Sequence, residues 1–69
     1  MNHQQFWLHH ELRSLRERRA DVAAGDLNPY EFLAVAHVLK RAASNIGSDG
    51  MLLTRAEALV LWGERAVLA

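Results

Sequence analysis

Cysteine is absent from the 69 residues, and there are only one proline and four glycines. Without thiols the chain can form neither a disulfide framework nor a thiolate metal site, and nothing in it points to an oxidising compartment. The formal net charge is zero. That balance offers none of the overall attraction to anionic polymers or membrane surfaces that a basic chain would have. No apolar run approaches the ~20 residues of a membrane span. The start, Met1-Asn2-His3-Gln4-Gln5, has neither the basic opening nor the apolar run of a secretory signal, so a cytoplasmic, unprocessed protein is expected.

What is present is helix. A chain of this length buries only roughly 60% of its unfolded surface, so stability is a constraint and oligomerisation is the staple left to it. The densest apolar pattern is Asn28 to Ile46. Asn28 suits an N-cap, Pro29 the first helical position, and Glu31 can reach back to the cap amide. Leu27 and Phe32 form a hydrophobic staple. Phe32, Val35, Ala36, Leu39, Ala42, Ala43 and Ile46 keep helical spacing, while Leu33, Ala34 and Val38 widen the face beyond a stripe. A helix this apolar demands cover on more than one side.

Before it, residues 3–24 read as a first helix with Leu8, Leu12, Leu15 and Val22 in a heptad seam, Arg19 interrupting, and Gly25 as the C′ residue. Arg19 has two readings, a snorkelling stem at the core edge or a pair across an interface. The face with Arg13, Arg16, Arg18, Glu11 and Glu17 is either solvated, with Glu17 pairing to Arg13 and Asp21 to Arg18, or a recognition edge built on Arg13 and Arg16. After the break Gly47-Ser48-Asp49-Gly50, Thr54 to Glu57 reads as a capping box opening a third helix over 55–67. Met51 or Leu52 would plug the base of the core. Gly63 either admits a neighbouring helix or is a tolerated glycine near a fraying end. The expected architecture is therefore all-α: a single domain spanning residues 1–69, a compact three-helix unit with helices near 3–24, 29–46 and 55–67, forming a homodimer through surplus apolar residues, namely Val38, Val60, Leu61, Trp62 and Leu68.

Chemistry finds little footing. His9 and His10 are adjacent, His3 and His10 stand about 10 Å apart along a helix, and no carboxylate completes a zinc pattern such as HExxH. Asn45 to Glu57 imitates a calcium loop, but the position due a bidentate glutamate is Ala56, one residue early. Ser14, Ser44, Ser48 and Thr54 lack the context of a nucleophile. No catalytic residue, metal or cofactor is assigned, and the chain is not expected to be an enzyme. A helix-turn-helix is disfavoured because the second connection reads as about ten residues, against the usual three to four. Among the aromatics, either Phe6 and Trp62 belong to the core and Trp7 covers an edge, or Trp7 and Tyr30 join arginines in a binding hot spot. The candidate partner-binding residues are Trp7, Arg13, Arg16 and Tyr30.

In its length, and in helices punctuated by Asn28-Pro29 and by Gly47 to Gly50, the chain resembles the small helical proteins that phages make to disable host machinery, most nearly the quorum-sensing anti-activators. The resemblance implies direct binding to a host protein such as a transcription activator, and thereby its inhibition. Seven arginines to one lysine and abundant alanine suit a GC-rich bacterial or phage gene. Two other classes stay open: a small DNA-binding regulator using the arginine-rich first helix, and a structural or chaperone subunit of a larger assembly.

Overall fold

The structure, a computed structural model, describes residues 2–46 and 50–69. It is all-α. Helix α1 runs His3–Glu17, a short α2 Arg19–Ala23, α3 Pro29–Ile46 and α4 Gly50–Leu68. Because α2 continues α1 past a break at Arg18, the described chain folds as three rods, within 35 × 17 × 15 Å.

Each rod is punctuated by its own side chains. Asn2 accepts from the Gln5 amide at 2.8 Å, and the Gln5 side chain accepts from the Asn2 amide at 3.4 Å, a reciprocal cap opening α1. At the break the Arg18 amide is shared between the carbonyls of Ser14 and Leu15 at 3.2 and 3.1 Å. Arg19 Nε donates to the Arg16 carbonyl at 3.1 Å, satisfying a group that the helix end would otherwise leave to water. Gly25 ends α2 as expected, with φ +82°. The Asp26 amide reaches the Asp21 carbonyl and the Gly25 amide that of Val22, at 2.9 and 3.1 Å, which is a Schellman closure. Asn28 caps α3 by accepting from the Tyr30 amide at 2.8 Å. No return bond from Glu31 accompanies it among the described residues.

Helix α4 begins earlier than the sequence pattern suggests. Thr54 is not an N-cap: its hydroxyl donates to the Gly50 carbonyl one turn back, at 2.8 Å, from within the helix. The physical reason is burial. Starting at Gly50 puts Leu52 on one face with Ala56 and Leu59, all buried, and this outweighs the capping preference of Thr54 with Glu57. The connection before α4 shortens accordingly to residues 47–49; Gly47 as a C′ residue lies outside the described residues.

The core is Leu8, Leu12 and Leu15 of α1, Phe32, Ala36, Leu39 and Ala43 of α3, and Leu52, Ala56, Leu59 and Val60 of α4. Val22, Leu27, Leu33 and Trp62 pack around it, and the Trp62 ring lies 4.9 Å from that of Phe32 at 59°. Phe6 is not core: it is 68% exposed, because it falls nearly opposite the leucine stripe of α1. Gly63 resolves in favour of close approach. A Cβ there would stand 3.1 Å from Phe32 Cδ1 and 3.4 Å from Leu33 Cα.

Two glycines make the fold testable. Gly25→Ala meets no neighbour within 4 Å, so its cost is purely that of left-handed backbone, about 1 kcal/mol in urea unfolding. Gly63→Leu should destabilise by about 2 kcal/mol or more through overpacking against α3; unchanged stability would mean that α3 and α4 do not meet there.

Candidate interaction site: an arginine groove between the first and last helices

Helix α1 advances about 100° per residue, which sets Phe6, His9, Arg13 and Arg16 together on one flank of the buried Leu8, Leu12 and Leu15. From α4, Arg55 reaches that flank: its Nη1 donates to His9 Nδ1 at 2.7 Å in a partly buried contact. A guanidinium has no acceptor, so the imidazole accepts through Nδ1 and carries its ring proton on Nε2. This contact ties together residues 46 apart in sequence.

Two adjoining hollows result. One is lined by Phe6, His9, His10, Arg13, Arg16 and Arg55. The other, of about 200 Å³, has Leu12, Ala58 and Leu59 as an apolar floor beneath Arg16, Arg19 and Arg55. Arg16 and Arg55 border both, so the hollows form one groove. Glu17 edges it and pairs with Arg13 at 3.7 Å, with both side chains largely exposed. That is the only ion pair among the described residues, and it contributes little at such exposure. Arg16, Arg19 and Arg55 therefore face the groove with no carboxylate partner. A chain neutral in sum is not neutral in place: four guanidiniums share one flank, and the local field there is positive.

Of the residues chosen from sequence for partner binding, Arg13 and Arg16 lie in this groove, whereas Trp7 and Tyr30 do not. Trp7 stands on the other flank of α1, exposed at 46%. Tyr30 lines a separate hollow at the corner between α2 and α3, with Val22, Leu27 and Pro29. The fold also disperses the expected dimer residues. Val60 is only 5% exposed and belongs to the core, and Trp62 is engaged with Phe32. Val38 is exposed on α3, and Leu61 and Leu68 are exposed on the outer face of α4, at 56% and 86%. The sequence reading missed Phe6, His9, His10, Arg19 and Arg55 as groove residues. The first two were legible, since 6, 9, 13 and 16 share a helical stripe. Arg55 was not, because its placement depends on how α4 lies against α1.

No family model, curated protein or solved structure matches this chain. The site is accordingly read from its own geometry. Loop length no longer argues against a helix-turn-helix, since the connection is residues 47–49. Helix placement does. Gly63 lies so near Leu33 that an added Cβ would stand 3.4 Å from its Cα, and each residue lies thirteen positions from the helix end at the connection, so α3 and α4 remain together about 20 Å beyond it. A helix-turn-helix pair instead splays at a large angle. None of the described helices is long and apolar enough to cross a membrane. What the groove suits is a carboxylate-bearing surface with some apolar content. Guanidiniums take carboxylates bidentately, and the floor offers apolar contact between them.

The His9–Arg55 bond can be weighed by a double-mutant cycle. His9→Ala, Arg55→Ala and the double variant should show a coupling of about 1 kcal/mol in urea unfolding. Strict additivity would remove the bond as the tie between α1 and α4.

Proposed function

We propose that this chain is a protein-binding module that acts by covering a functional surface of another protein. The observation that supports this reading most is the arginine groove: four guanidiniums on one flank, an apolar floor between them, and a single exposed ion pair to offset them. Arginine and exposed aromatic residues are the common anchors of protein interfaces, and Phe6 stands at the groove's edge. The target is a bacterial regulator such as a transcription activator, met in the host cytoplasm if the gene is a phage's, and binding inhibits it by occlusion. No enzymatic step and no cofactor belongs to this reading. A homodimer does, with Leu61 and Leu68 as its exposed apolar contribution.

The same arginines are the one feature that favours duplex DNA as a partner instead, and the two partners separate experimentally. The wild-type chain, immobilised in a bacterial lysate, should retain a protein in stoichiometric amount and inhibit that protein once purified. Arg13→Glu with Arg16→Glu should lose about 2–5 kcal/mol of that affinity while its circular dichroism and urea midpoint stay near wild type, both positions being exposed. Salt-dependent binding to duplex DNA with no protein retained would overturn the reading and install the DNA-binding one.

A further inference from the structure

We infer that a second copy of the chain fills the arginine groove, laying the outer face of its α4 across it. Helix α4 is two-sided. Its inner side is the core stripe Leu52, Ala56, Leu59, Val60 and Gly63. Its outer side carries Glu57, Leu61, Glu64 and Leu68, at spacings of four, three and four, which stack into one ladder about 16 Å long. All four are exposed, and neither glutamate makes an ion pair within its own chain among the described residues. The ladder thus presents carboxylates and leucines in alternation. The groove presents the complementary set: arginines without carboxylate partners over Leu12, Ala58 and Leu59. Charge and apolar pattern match in size as well, since the groove residues of α1, Phe6 to Arg16, cover about 15 Å.

The arrangement also closes. Ala58 of the groove floor and Leu61 of the outer ladder are three residues apart, hence neighbours around α4. With two α4 helices side by side and parallel, related by a twofold along their length, each ladder faces its partner's groove, because ladder and groove lie on opposite flanks of α4. The contact is isologous and ends at two copies, without growing into a filament. The expected dimer residues Leu61 and Leu68 enter as ladder rungs; Val38 lies on another helix and is not used. Taken with the function proposed above, on which this consequence rests, self-docking and target binding occupy the same arginines, so the pair is a stored form that a target must displace.

Charge exchange tests the pairing in purified protein, with no target present. In sedimentation equilibrium the wild type should be dimeric by about 100 μM, and Glu57→Arg with Glu64→Arg, or Arg13→Glu with Arg16→Glu, should each weaken association about a hundredfold by setting like charges together. Mixing the two variants should restore dimers, because each ladder then meets an opposite groove. A monomeric wild type, or variants that dimerise alone as well as the wild type does, would overturn the inference. Should either variant unfold, the wild type still decides: its dimerisation must weaken between about 50 mM and 500 mM salt, and salt-insensitive dimers would reject the groove as the contact. None of these outcomes bears on whether a target protein binds, which the lysate experiment reads separately.

Discussion

The close passage of α4 against α3 at Gly63 is the constraint from which the remaining geometry follows. With no side chain at that point, α4 passes so close to Leu33 and Phe32 that even a Cβ would be crowded by them. Ala36, Ala43 and Ala56 are the other small residues in the core. A hairpin this closely packed offers a shallow seam, and α1 lies in it through Leu8, Leu12 and Leu15. Because α1 is narrow in apolar residues, it covers the seam without covering the polar flank beside it. The groove toward α4 is what remains.

Much of the framework was readable because its signals are local. Gly25 ends a helix through its own backbone, and Asn28 with Pro29 opens the next; both act within a turn of themselves. The leucine seam of α1 is likewise a matter of spacing. Thr54 misled for the opposite reason. A capping residue is chosen by competition, and burial of Leu52 two residues earlier outbids it, which only the assembled core reveals. Asn2 with Gln5 is a local signal of the same kind, a cap whose two partners stand three residues apart.

The interaction surface was legible only in part. Arg13 and Arg16 could be placed on one face of a helix, but their companions come from the break at Arg18 and from a helix nearly forty residues on. The net charge misdirected most. A sum over the chain says nothing about distribution, and here the acids Glu57 and Glu64 project from the outer side of α4 while the arginines gather toward α1. Apolar surplus was misjudged in a similar way: Val60 and Trp62 are absorbed inside, leaving Leu61 and Leu68 outside.

The way the arginines are held has a consequence for recognition. Arg55 is positioned by an imidazole nitrogen and Arg19 by a peptide carbonyl. Both are uncharged acceptors. A carboxylate would have fixed each side chain equally well and cancelled its charge in doing so. These contacts supply order alone: the rotamer freedom that binding would otherwise have to remove is already reduced, while the guanidinium charge and its remaining donors stay available. Two of the four groove arginines are thus held in place and still unneutralised, a combination that a salt bridge to a carboxylate cannot provide.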